Sequence, residues 1–192
     1  MQSIQTVSEN TIYVGASDRR LAKFENLFPI PRGVSYNAYV ILDEKTALLD
    51  TADASVGAQF LENVAAALDG RKLDYLIVDH MEPDHAAMIE AVLVRWPDLR
   101  LVVNAKTLPM LKMYFPTDSA AIDDALVVKE GDTLDLGKHK LTFVMAPMVH
   151  WPEVMMTFDT TTGTLFSADA FGTFGALEGA LFADEVDFAG QW

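Results

Sequence analysis

The run Asp79-His80-Met81-Glu82-Pro83-Asp84-His85 constrains this chain more than any other stretch. Four strong metal-ligating side chains, His80, Glu82, Asp84 and His85, fall within six positions, directly after the strand-like Tyr75-Leu76-Ile77-Val78. In an extended segment, residues two apart point to the same side, so His80 and Glu82 converge on one ion. Asp84 and His85 follow as adjacent ligands where the chain turns into a helix predicted over Ala86–Trp96, a geometry able to feed two ions. The alternative is a strand end followed by a helix start, with Asp84 as a cap and the imidazoles incidental. Any one of these residues alone would fit that alternative. Four together, in a chain with four histidines in all, point to a metal site.

Composition narrows the field. A chain of 192 residues, 51% hydrophobic and 22% charged, is expected to form one globular domain with a real core. No apolar run approaches the roughly 18 residues that cross a bilayer. The Met1–Gln5 start lacks the pattern of a signal peptide, so a cytoplasmic, membrane-free setting is expected. The absence of cysteine excludes disulfides, thiolate ligands, Fe–S clusters and thiol nucleophiles. A formal charge of −14 argues against a nucleic-acid partner, because nothing supplies a basic stripe for phosphates.

Short β-type runs recur at Thr11–Val14, Tyr36–Leu42, Ala47–Leu49, Tyr75–Val78, Leu99–Val103, Ala125–Val128, Lys140–Met145, Val154–Phe158 and Thr164–Phe166. Helical periodicity marks Ala54–Leu68, Ala86–Trp96 and Lys106–Tyr114. Turn residues at 43–45, 130–132 and 161–163 are expected to join consecutive strands as hairpins. This pattern predicts a mixed sheet or a sheet sandwich covered by helices, and argues against a doubly wound dinucleotide fold. Met145, Met148, Met155 and Met156 read as core filling.

Two further loops extend the constellation. The strand Leu141–Met145 delivers Ala146-Pro147-Met148-Val149-His150-Trp151-Pro152-Glu153, and the strand at Thr164–Phe166 delivers Asp169. Ligands at the ends of successive strands, on one rim of a sheet, converge on a metal from a rigid scaffold. His139, in the polar turn Gly137-Lys138-His139-Lys140, reads as a surface residue outside the site.

With His80, Glu82, Asp84, His85, His150 and Asp169 in this order, the chain resembles the metallo-β-lactamase superfamily, and more narrowly the diiron domain of flavodiiron proteins. The resemblance extends through Gly33–Tyr39, Glu130-Gly131-Asp132, His150-Trp151-Pro152-Glu153 and Phe166–Gly172, nearly the whole chain. It implies a single domain over residues 1–192 with an αββα sandwich fold, in the α/β (α+β) class. His80, Glu82 and His150 would hold one iron, Asp84 and His85 the other, and Asp169 would bridge the two. Glu82 stands where the superfamily's hydrolases carry a histidine. A hard anionic ligand there favours iron over zinc.

The same resemblance implies reduction of O2 to water or of NO to nitrous oxide. Electrons would come from FMN on a missing segment or a partner, and a rubredoxin or flavoprotein would act as donor in a head-to-tail homodimer. Phe171 and Phe174 would shape a dry gas pocket. Two departures stand against the family pattern: no histidine follows Asp169, and no flavodoxin-like domain is present. The chain therefore reads as a fragment or shortened form, incomplete beyond Phe188–Trp192. A diiron sensor that binds O2 or NO without turnover, and a zinc hydrolase with Asp84 as general base, are the competing functions.

Overall fold

The computed structural model describes residues 3–116 and 119–185. It divides into two compact units, Met1–Ala16 with Tyr36–Gly172, and Ser17–Ser35 with Thr173–Trp192.

The larger unit is built on a seven-stranded mixed sheet. Across that sheet the strands run Gln5–Ser8, Thr11–Tyr13, Tyr39–Leu42, Thr46–Leu49, Tyr75–Ile77, Arg100–Asn104 and Leu126–Val128. The first four pair antiparallel and the last four, Thr46–Leu49 onward, pair parallel. A second, antiparallel sheet holds Thr133–Asp135, Lys140–Met145, Met155–Asp159 and Thr164–Phe166.

One apolar cluster joins the two sheets. Ile41, Leu49, Ile77 and Val102 from the first meet Leu134, Leu141, Phe143, Met155 and Phe166 from the second. Side chains alternate across a strand, so Val40, Leu48, Leu76 and Leu101 face the opposite side of the first sheet. These four are also fully buried. The helix Gly57–Leu68 packs on the strand Tyr39–Leu42 and buries Phe60, Val64, Ala67 and Leu68, while Thr107–Tyr114 packs on Arg100–Asn104. Strands buried on both faces read as unbroken apolar runs, which is why Thr46–Leu49 shows no alternation. The outer face of the second sheet is more open, with Val144 and Leu165 left exposed. Among the described residues the helical layer therefore lies on the first sheet.

Most expected elements form within a residue or two of their predicted limits, and three differ in an informative way. The helix expected over Ala86–Trp96 is two pieces, Pro83–Ala86 and Ile89–Arg95. Thr51 takes the carbonyl of His85 with both its backbone N–H (2.8 Å) and its hydroxyl (2.6 Å), which diverts the acceptor that a continuous helix would use at Ile89. The turn at 130–132 is no hairpin: it carries the chain from Leu126–Val128 in one sheet to Thr133–Asp135 in the other. The methionine cluster also splits. Met155 is in the core and Met145 packs against it, but Met148 is exposed.

The smaller unit is a short hairpin of Lys23–Phe24 with Phe28–Pro29. The rings of Phe24 and Phe174 lie 5.1 Å apart, and Arg19 pairs with Glu178 at 2.9 Å. Gly33 adopts φ +74°, and a Cβ there would fall 2.3 Å from the Asp18 carbonyl, so glycine is required. The expected break at Phe188–Trp192 lies outside the described residues. No helix among those residues is long and apolar enough to cross a membrane.

Candidate metal centre

The parallel strand Tyr75–Ile77 ends beside Thr46–Leu49 and Arg100–Asn104, so its exit segment leaves from the middle of the sheet. That placement buries His80 (0% exposed) and Glu82. The chain then enters the short helix Pro83–Ala86, with Pro83 in its first turn, and presents Asp84 and His85. The loop after Lys140–Met145 brings His150, and the loop after Thr164–Phe166 brings Asp169. Both loops hold non-glycine residues in the left-handed region, Met148 at φ +68° and Ala168 at φ +48°. Each costs roughly 1–2 kcal/mol, which the surrounding structure must offset.

All six predicted residues come together. Donor atoms of His80, Glu82, His150 and Asp169 lie within 4.8 Å of one another, and so do those of Asp84, His85 and Asp169. Asp169 belongs to both groups. His80 Nε2 is 3.1 Å from Glu82 Oε2 and 3.2 Å from Asp169 Oδ2. His150 Nε2 meets the same two oxygens at 2.8 and 3.1 Å. On the far side of Asp169, its Oδ1 lies 2.8 Å from His85 Nε2. His80 and Glu82 do converge, although the strand itself ends at Ile77 and the exit segment bends at Asp79 and Glu82.

Three carboxylates outside the predicted set hold this arrangement. Glu153 Oε1 accepts from His80 Nδ1 (2.8 Å) and from the Met81 N–H (3.0 Å). Asp50 Oδ2 accepts from His85 Nδ1 at 2.9 Å, and its Oδ1 accepts from the Asp79 N–H at 2.8 Å. Asp79 in turn takes the Thr157 hydroxyl at 2.8 Å. A carboxylate on Nδ1 fixes the tautomer and directs Nε2 toward the centre. Glu153 lies in the His150-Trp151-Pro152-Glu153 motif and Asp50 directly follows the strand Thr46–Leu49, but neither position shows its partner in sequence. Trp151 stacks edge-on against His80, with ring centroids 5.3 Å apart.

Charge explains the titration pattern. Burial works to lower the basicity of His80, yet hydrogen bonds to Asp169, Glu153 and Glu82 outweigh it and raise the imidazole to about 11. His85 rises for the same reason through Asp169 and Asp50. Burial pulls Asp169 upward, but its bonds to His80 and His85 hold it well below the usual carboxylate range. Asp84, buried and near other carboxylates, is pushed up to about 6. Asp79 is driven well above normal by burial and by Asp50.

The residues fit a cation pair. Three carboxylates converge with three imidazoles, and Asp84 Oδ1 is buried with no hydrogen-bond partner. An orphaned buried carboxylate oxygen costs free energy unless a proton or cation meets it.

Two expectations fail. His139 is not a surface residue: it is fully buried, its Nδ1 donates to Asp159 Oδ2 at 2.8 Å, and its N–H donates to Asp43. Asp159 and Asp43 bind its Nδ1–H and its backbone N–H, while its Nε2 is buried with no hydrogen-bond partner among the described residues. Phe171, expected in a dry pocket, is 89% exposed, and Phe174 belongs to the smaller unit, against Phe24.

A two-sheet sandwich whose strand-end loops gather histidines and carboxylates into two adjoining donor groups defines a metallo-β-lactamase-like protein. A family model described as ODP family beta lactamase matches residues 34–190, and the chain belongs to that family. It is 38% identical over 183 residues to the anaerobic nitric oxide reductase flavorubredoxin of Klebsiella pneumoniae, an alignment covering 94% of this chain and 37% of the relative. It superposes on the rubredoxin oxygen:oxidoreductase of Desulfovibrio gigas with a TM-score of 0.91 and 30% identity, covering 98% of this chain and 46% of the other. The flavodiiron protein of Giardia intestinalis gives a TM-score of 0.89 at 27% identity, covering 99% and 45%. The relatives are flavodiiron proteins, and the chain spans less than half the length of each of these three.

Proposed function

We propose that residues 1–192 form the diiron module of a flavodiiron-type reductase acting on O2, NO or both. His80, Glu82 and His150 hold one iron, Asp84 and His85 the other, and Asp169 serves both. The observation that carries this reading is the pair of donor groups sharing Asp169, with Glu82 among them. A carboxylate at Glu82 makes the donor set harder and more anionic than a nitrogen-rich zinc site. Iron held there supplies one-electron redox steps and open positions for a diatomic molecule.

The chain's own residues prepare that chemistry. Glu153 and Asp50 hold the Nδ1 protons of His80 and His85 and leave each Nε2 directed at the shared carboxylate. Burial of His80, Glu82 and His85 excludes water from the inner side, while His150, its side chain 57% exposed, leaves the outer side open. Electrons would come from FMN on another segment or partner, fed by a rubredoxin or flavoprotein, as the names of the relatives suggest for those proteins.

The test is anaerobic loading with Fe(II), then metal content, absorption spectra, and consumption of O2 and of NO with a flavoprotein reductase supplying electrons. About two irons per chain and turnover of either gas support the reading. A stable gas adduct without turnover would favour the sensor. Zinc retained in preference to iron, with hydrolysis of a thioester or lactam, would favour the hydrolase.

A further inference from the structure

The His85 carbonyl accepts two hydrogen bonds from one residue, Thr51, whose backbone N–H donates at 2.8 Å and whose hydroxyl donates at 2.6 Å. The same hydroxyl oxygen accepts the Met88 N–H at 3.3 Å. An α-helix running on from Pro83–Ala86 would instead bond the Met88 N–H to Asp84 and the Ile89 N–H to His85. The hydroxyl of the fully buried Thr51 takes the donor of the first bond and the acceptor of the second, so it stands in the ladder in place of both. Met88 accordingly sits at φ −96°, ψ 6°, outside the helical well. Asp50, immediately before Thr51, binds the same histidine by its ring, accepting from Nδ1 at 2.9 Å. It does so at φ +56°, a strained conformation for a residue with a Cβ. One strand exit therefore grips His85 at both ring and backbone.

We propose, resting on the two-iron reading above, that Thr51 is a positioning residue for the Asp84–His85 metal position and acts through its hydroxyl. By keeping the helix from closing at Met88 and Ile89, it fixes the turn that carries both ligands and sets His85 Nε2 2.8 Å from the shared Asp169. Metal-site geometry tolerates an error of about 0.5 Å. Without the hydroxyl the Met88 N–H loses its acceptor, and closing the ladder onto Asp84 is the nearest repair. That closure moves the backbone of both ligands. The other position is held from elsewhere: His80 and Glu82 precede the helix, with His80 tied to Glu153, and His150 and Asp169 come from other loops. Loss of the hydroxyl therefore weakens one metal position and spares the other, which a general loss of stability would not do.

The test compares Thr51→Val, which keeps the shape without the hydroxyl, with Thr51→Ser, which keeps the hydroxyl; Thr51→Ala serves if the valine variant does not fold. In the metal-free chain, the Cα and carbonyl NMR shifts of Ala87 and Met88 should move to helical values in the valine variant and stay native in the serine variant. Anaerobic Fe(II) titration against a chelator should show the weaker of two binding steps falling by about tenfold or more in the valine variant, with the stronger step within about threefold of native and both near native in the serine variant. Unmoved shifts would assign the break to Met88 itself, which packs so closely on Gly57 that a Cβ there would fall 2.5 Å from its sulfur, and would overturn the proposal. Equal weakening of both steps would overturn it too. A native chain with no second Fe(II) step would sink the two-iron reading and the metal role of Thr51 with it. The metal-free shifts tell that failure from the other, because they report the hold on the turn whether or not iron binds.

Discussion

Replacing Glu153 by glutamine tests whether the buried carboxylate behind His80 governs the centre. Glu153 is 1% exposed, and its Oε1 takes two donors, His80 Nδ1 at 2.8 Å and the Met81 N–H at 3.0 Å. Glutamine keeps the shape. Its carbonyl oxygen in the Oε1 position can still accept from both donors, but as a neutral acceptor where the native chain has an anion. The Nδ1 proton is then held less strongly, and Nε2 becomes a weaker donor to a cation. Loss of such a partner ordinarily lowers metal affinity about 10–100-fold, or about 1.4–2.7 kcal/mol. Competition against a chelator of known strength, under anaerobic conditions with Fe(II), measures this directly. Glu153→Gln should show that loss while the melting temperature of the metal-free chain stays near that of the native chain. Affinity within twofold of native, in a variant that folds normally, would refute the claim that the Glu153 charge governs His80 as a ligand.

Four further outcomes are expected. One donor group offers four side chains and the other three, so a chelator should strip the Asp84–His85 position first, and iron-edge scattering should show unequal occupancy of this polypeptide. His139→Ala should leave metal content unchanged, because His139 precedes the strand whose far end leads to His150. It should nonetheless destabilise the chain by about 1–3 kcal/mol by leaving Asp159 buried and short of a partner, read from urea unfolding. Burial opposes ionisation of Asp159, but its bonds to Thr162 and His139 win and lower its pKa, so its contribution is present above about pH 4 and is lost as pH falls through and below that value. Asp159→Asn should flatten the acid limb of the stability curve. Finally, added FMN should not bind this chain stoichiometrically, which flavin fluorescence in an ultrafiltration assay will check. Tight one-to-one binding would overturn that expectation.

What was legible in the sequence was whatever is written locally. The run Asp79–His85 carries four donors whose convergence follows from strand and helix periodicity, and the apolar runs at Thr46–Leu49 and Tyr75–Ile77 mark central strands for the same reason. His150 and Asp169 were legible as strand-end residues. Tertiary structure alone decided the partners across long sequence separations. Glu153 reaches His80 over 73 residues and Asp50 reaches His85 over 35, and no periodicity encodes such a pairing. His139 was misread because a polar turn and a buried polar network have the same composition. They differ only in whether water or residues distant in sequence meet the polar atoms: here Asp159 takes the Nδ1 proton and Asp43 the backbone N–H. The break in the helix after Ala86 has the same origin: its own residues favour continuation, and Thr51, on another strand's exit, takes the carbonyl that continuation needs.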